Sequence, residues 1–129
     1  MGKKKAVVVD VDGTIALMEG KRTPFEWEKV GLDSKKLAQS FKIIIVSGRD
    51  GCCRKETEKW LVDNEVPVDQ FFMRPAGDVR RDSVIKEEIF YRFIEPMFEV
   101  ELVLDDRNQT VAKWRELGLT CLQVADGDF

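Results

Sequence analysis

The chain contains no histidine among its 129 residues. That excludes the Ser-His and Cys-His nucleophile systems, which need an imidazole base. A cysteine phosphatase needs arginine at the sixth position after its nucleophile. Cys52, Cys53 and Cys121 are followed there by Glu58, Lys59 and Gly127. Acid–base chemistry is left to carboxylates, lysine, the single tyrosine Tyr91 or metal-bound water. Three cysteines, two of them adjacent, make no disulfide framework, and no CxxC pair suggests zinc. A reducing cytoplasm is the expected compartment. No apolar stretch approaches the length of a membrane span, so no membrane partner is expected. The apolar run behind the basic start Met1-Gly2-Lys3-Lys4-Lys5 is too short for a signal peptide, and Val7 stands where N-myristoylation needs Ser or Thr. Repeats and low-complexity segments are absent. The net charge of −3 argues against a general nucleic-acid coat protein, yet allows a local basic mouth around one phosphate. Lys21, Arg22, Arg49, Arg54, Arg74, Arg80 and Arg81 fall in or beside the motif segments; a solvated surface is the plainer reading, especially for Arg54 and Arg81.

What is present reads as one α/β domain over 1–129 with an ordinary core, at 43% hydrophobic and 35% charged residues. Apolar runs alternate with helical patterns. They predict strands near 5–11, 42–47, 69–73, 100–105 and 120–124, and helices near 33–40, 54–65, 81–95 and 107–117. Trp60/Leu61, Val84/Ile85/Ile89/Phe93 and Val111/Trp114 supply the apolar faces of the last three helices, and Gly118 reads as a helix stop. The expected fold is a doubly wound, Rossmann-like parallel sheet of about five strands, with any ligand at the carboxyl ends of the strands. The segment 15–32, with Gly20, Pro24 and Gly31, is long enough only for a flap or small hairpin. A site with so minimal a cap can admit the end of a large substrate.

The run Ala6-Val7-Val8-Val9 ends in Asp10-Val11-Asp12-Gly13-Thr14. Strand alternation points Asp10 and Asp12 to one side, where like charges repel unless a cation sits between them. This suggests a Mg²⁺ site with one carboxylate free to attack phosphorus; a strand end followed by a glycine turn is the plainer alternative. Further along, Phe41-Lys42-Ile43-Ile44-Ile45-Val46 ends in Ser47-Gly48-Arg49, Asp82-Ser83-Val84-Ile85-Lys86 lies on a helical pattern, and Val100-Glu101-Leu102-Val103-Leu104 ends in Asp105-Asp106. In that order the four motifs resemble the haloacid dehalogenase-like hydrolase superfamily, most of whose members are Mg²⁺-dependent phosphatases with an aspartyl-phosphate intermediate. The stretch Gly77 to Phe90, the triplet Asp105-Asp106-Arg107 and the end Gln123-Val124-Ala125-Asp126-Gly127-Asp128-Phe129 are more specific. With the first two motifs they resemble the 3′-phosphatase domain of phage polynucleotide 5′-kinase/3′-phosphatases across nearly the whole chain. Two departures stand out. No GxxxxGK[ST] phosphate loop occurs, so these residues carry no kinase reaction, and the segment after Arg49 is shorter than in that relative.

The resemblance implies removal of 3′-phosphate from DNA or RNA ends. Asp10 would be the nucleophile, or solely a Mg²⁺ ligand. Asp12 would be the general acid and then base, with its backbone carbonyl also on Mg²⁺, or a turn cap. Thr14 and Ser47 would contact phosphate oxygens, helped by the Gly13 and Thr14 amides and the Gly48 turn. Lys86 would neutralise the transferring group, oriented by Asp82 one helical turn earlier, and Asp82 itself would belong to the phosphate-binding set. Asp105 and Asp106 would complete the Mg²⁺ site, Asp105 directly and Asp106 through water. Arg22 (or Lys21), Arg49 and Arg74 would hold substrate phosphates, and Arg107 would pair with the acids. Phe25, Trp27 and Tyr91 are candidates to stack on a base; packing of the flap is the alternative for Trp27. Two competing readings are a small-molecule nucleotide or sugar phosphatase of the same fold and an inactive binding module or subunit paired with a separate kinase chain; a separate kinase or ligase is the candidate protein partner.

Overall fold

The computed structural model describes residues 2–16 and 35–129. Five strands, β1 (Lys4–Val9), β2 (Lys42–Asp50), β3 (Gln70–Arg74), β4 (Phe98–Asp105) and β5 (Cys121–Gln123), form one sheet in the order β3-β2-β1-β4-β5. Every neighbouring pair is parallel. Between them lie helices α1 (Arg54–Asp63), α2 (Asp82–Ile89) and α3 (Asn108–Glu116). The expected doubly wound α/β sheet is what forms.

The continuous valines and isoleucines of β1 and β2 are explained by burial on both faces. Ala6, Val8, Ile44 and Val46 pack with Ile85, Ile89, Val111 and Trp114 of α2 and α3. Val7, Val9, Ile43 and Ile45 face the other way, onto Leu61 of α1 and onto Val11 and Ile15 of the loop after β1; Trp60 is only partly buried there. Gly118, at φ 87°, ends α3 in the left-handed conformation that a side chain resists.

Two expectations change. Of the helix near 33–40, the described residues form only a 3-10 turn at Leu37–Gln39, with no side chain capping its start. Val84 and Phe93 do not belong to the core: they are 42% and 45% exposed. The inner face of α2 is occupied by Asp82, Ile85, Lys86 and Ile89, which leaves Val84 on the outside. A π-helical turn at Phe90–Ile94 then advances the register, burying Phe90 and Ile94 and leaving Phe93 stacked on Phe72 at 5.3 Å.

Strand order reverses at β1. The chain winds outward through β2 and β3, then returns to β4 and β5 on the other side. This places the carboxyl ends of β1 and β4 side by side at the switch point, where open α/β sheets hold ligands.

Candidate active site

Asp10 follows β1 directly, and its amide donates to Leu104 O at 3.0 Å, tying it to the end of β4. Its neighbour across that junction is Asp105, the last residue of β4. Lys86 reaches between them from α2. Its Nζ lies 2.8 Å from Asp10 Oδ1, 2.9 Å from Asp105 Oδ2 and 3.4 Å from Asp82 Oδ2. The lysine is 2% exposed, and the three carboxylates are buried with it. Burial pulls the Lys86 ammonium down; Asp10, Asp105 and Asp82 outweigh it and hold the ammonium well above its usual value. The Asp82 carboxyl is likewise opposed by burial, yet Lys86, the Thr110 hydroxyl and Arg107 keep it below the usual carboxylate range. Asp10 goes the other way. Burial raises it well above its ordinary value, Asp105 and Asp106 raise it further, and Lys86 only partly compensates.

That residual negative charge sits where three buried carboxylates converge. Oxygens of Asp10, Asp105 and Asp106 all lie within 4.8 Å of one another. A set of hard anionic oxygens with excess charge fits Mg²⁺. Asp105 is already engaged in the protein: Oδ2 accepts from Lys86 Nζ and, at 3.1 Å, from Trp114 Nε1, while Oδ1 accepts from the Asp106 amide at 2.8 Å. Asp106 lies against the loop after Asp10. A Cβ at Gly13 would come within 2.0 Å of Asp106 Oδ2, and Gly13 has φ 81°, so both the close approach and the turn exclude a side chain there.

Asp12 stands apart from this group. Arg49 grips it as a fork, Nε to Oδ2 and NH2 to Oδ1, both at 2.7 Å. The guanidinium side chain is 8% exposed and the carboxylate 16%. Ser47, at the end of the buried run in β2, is buried and its Oγ accepts from the Arg49 amide at 3.2 Å. Gly48 has no room for a side chain, since a Cβ would meet Asp82 Oδ1 at 1.8 Å. Thr14 is buried, with Oγ1 3.5 Å from Asp10 Oδ2.

Several expected roles meet a different geometry. The Gly13 and Thr14 amides form no anion nest, because they donate to Ala16 O and Val11 O within the turn. Arg74 is built into the scaffold. Its Nε donates to Gly48 O at 2.7 Å and its NH1 to Asp78 O at 2.9 Å and to Arg80 O, while NH2 lies 3.9 Å from Asp82 Oδ1. It joins the Ser47-Gly48-Arg49 end of β2 to the start of α2. Asp82, expected among the phosphate contacts, braces Lys86 and accepts from Thr110 Oγ1 at 2.7 Å. Arg107 packs its guanidinium over the Phe129 ring at 4.5 Å while its charge still acts on Asp82, as expected of a partner to the acids. Arg22, Lys21, Phe25 and Trp27, and with them nearly all of the 15–32 flap, lie outside the described residues. Tyr91 is exposed, its ring edge-on to Phe90. Thr110 and Trp114 were missed as site residues. Their only sequence signal is a one-turn spacing on α3, which reads as ordinary packing.

An acid just past β1, a hydroxyl on β2, a buried lysine on α2 and an acid pair at the end of β4, all at one sheet edge, are the arrangement that the resemblance to haloacid dehalogenase-like hydrolases implies. The comparisons with known proteins narrow the class. The model of the polynucleotide kinase PNKP phosphatase domain matches residues 4–129, and the chain belongs to that family. A relative from Autographa californica nuclear polyhedrosis virus, named "Putative bifunctional polynucleotide kinase/RNA ligase", is 32% identical over 126 residues, covering 88% of this chain and 18% of the viral protein. Among solved structures, the chain is similar to one in the Pnkp1/Rnl/Hen1 complex, at 37% identity and a TM-score of 0.89, covering 98% of this chain and 48% of that one. A second structure, of the Pnkp1/Rnl/Hen1 RNA repair complex, gives 37% identity and a TM-score of 0.85 over 98% of this chain and 44% of that one. The chain thus spans less than a fifth of the viral relative and under half of either solved chain.

Proposed function

We propose that the domain is a Mg²⁺-dependent polynucleotide 3′-phosphatase that works through an aspartyl-phosphate on Asp10. The observation that carries this is Lys86, a buried ammonium held between Asp10 and Asp105 beside the three-carboxylate cluster. An oxygen of Asp10 attacks phosphorus and forms a P–O bond as the bond from phosphorus to the sugar 3′ oxygen breaks. Asp12 gives its proton to that leaving oxygen. Water then attacks phosphorus, Asp12 takes the proton, and inorganic phosphate leaves with Asp10 regenerated. Lys86 offsets negative charge on the transferring group throughout. The Arg49 fork takes up both oxygens of Asp12 as acceptors, so Asp12 gives up that fork before it carries the proton for the leaving oxygen, and Arg49 is a candidate phosphate contact. Thr14 and Ser47 remain the hydroxyl candidates for phosphate oxygens, and Arg22 a further cation.

Asp10, Asp106 and the Asp12 carbonyl would hold Mg²⁺, with Asp105 behind them. Both oxygens of Asp105 are engaged by Lys86, Trp114 and the Asp106 amide, which favours a supporting role for Asp105 over the direct one expected from sequence. When bound, the cation supplies positive charge that lets the phosphoryl group approach the anionic nucleophile.

The names of the viral relative and of the RNA repair complex favour an RNA end as substrate and a ligase or kinase as functional partner. Phosphate release should be measured from 3′- and 5′-phosphorylated oligonucleotides and from mononucleotides and sugar phosphates, with Mg²⁺ and with EDTA. The 3′-phosphorylated oligonucleotide should be hydrolysed, the 5′-phosphorylated one should not, and EDTA should stop the reaction. Asp10→Asn should retain less than about a hundredth of the activity, the lower end of what loss of acid–base help alone would cause. Faster turnover of sugar phosphates than of any 3′-phosphorylated oligonucleotide would overturn the polynucleotide reading.

A further inference from the structure

Beyond β5 the chain folds back onto the turn that carries Asp106. Val124 N donates to Asp105 O at 3.0 Å. Gln123 Nε2 donates to Asp106 O at 2.8 Å and to Asn108 Oδ1 at 2.6 Å, which uses both hydrogens of that amide. Asn108 N donates to Gly127 O at 2.8 Å. Gly127 is buried against the same turn: a Cβ there would lie 1.7 Å from Asp106 O and 2.6 Å from Arg107 Cα. On its other side the Asp106 carboxylate meets Gly13, as described above. Asp106 is therefore fixed at its backbone by the tail and at its side chain by the loop after Asp10.

We propose that Gln123 and Gly127 are positioning residues for metal binding, holding the peptide of Asp106 so that its carboxylate meets a divalent cation together with Asp10. The inference rests on the Mg²⁺ reading above. Mg²⁺ requires near-ideal octahedral geometry at short ligand distances, so a small shift of one carboxylate matters. The tail touches the backbone of the ligand-bearing turn from outside the cluster. Loss of such outer support typically lowers metal affinity by about 10–100-fold.

The test is Mg²⁺ titration of the full chain by calorimetry, with melting temperature read in EDTA and in Mg²⁺. Gln123→Met keeps the length of the side chain and removes its donors. It should bind Mg²⁺ about tenfold more weakly or worse, the lower end of that range. It should also melt like the unaltered chain in EDTA and recover kcat as Mg²⁺ is raised. Gly127→Ala should show the same weakening; if it does not fold, Gln123→Met decides alone. Equal Mg²⁺ affinity in Gln123→Met and the unaltered chain overturns the inference, as does a lower melting temperature in EDTA with affinity unchanged. Absence of Mg²⁺ binding by the unaltered chain overturns the metal reading and this inference together.

Discussion

The two edges of the sheet both gather charge and handle it in opposite ways. At the carboxyl edge, Asp10, Asp82, Asp105 and Asp106 are buried around one ammonium, and Lys86 contacts carboxylates at 2.8 and 2.9 Å. At the amino edge, Lys4, Lys5, Lys42 and Asp69 line an open groove of about 410 Å³. The pairs there, Lys5 with Glu101 and Lys42 with Asp69, stand at 3.9 Å with side chains 38–62% exposed. Water screens the second set, so its pairs are worth little. The first set has lost its water, and each charge depends on its partner. Charge alone does not mark a site; desolvated charge that its own protein leaves unbalanced does, and the raised Asp10 is that imbalance.

Lys86→Met should break this contrast most strongly. It removes the sole ammonium contact of Asp10 and Asp105 among the described residues and leaves the carboxylates facing one another, at a cost of about 3–5 kcal/mol. Urea unfolding in metal-free buffer measures it, and a loss under about 1 kcal/mol would place Lys86 with the surface lysines. Turnover should vanish as well.

Arg49→Lys keeps the charge and removes the fork. A lysine cannot meet both oxygens of Asp12 in parallel. Loss of the two-point contact to substrate phosphate should slow kcat by about ten- to a hundredfold with stability nearly unchanged. Wild-type kcat in this variant would show that Arg49 makes no such contact.

The smallest effect belongs to the amino edge. Lys42→Met should move the unfolding free energy by no more than about 0.5 kcal/mol, because its partner is exposed and distant. A larger loss would mean that the groove carries structural charge after all.

Motif residues that follow a buried strand were legible, because strand ends at one sheet edge must converge. Asp10, Ser47 and Asp105 needed only the order of runs and turns. Lys86 was legible through its spacing from Asp82 on α2. Arg74 was not: it lies beside the motifs as a phosphate clamp would, and only the fold reveals that its donors go to the Gly48, Asp78 and Arg80 carbonyls. Trp114 read as core, which it is at 1% exposure, while its indole N–H also steadies Asp105. Nothing in a sequence states which way the polar edge of a buried ring faces. Phe93 failed for another reason, since a single π turn shifts helical periodicity without altering composition.

The sequence by itself determined the parallel sheet, the strand ends that carry the acids, and the chemistry open to a chain without histidine. It could do so because hydrophobic periodicity and residue type are local properties. Tertiary structure alone decided which groups lose their water together and who faces whom. It placed Arg49 on Asp12, Trp114 on Asp105 and Gly127 against the Asp106 peptide, contacts between residues as much as 37 positions apart. Their strength comes from desolvation and close approach, which exist only once the chain has closed around them.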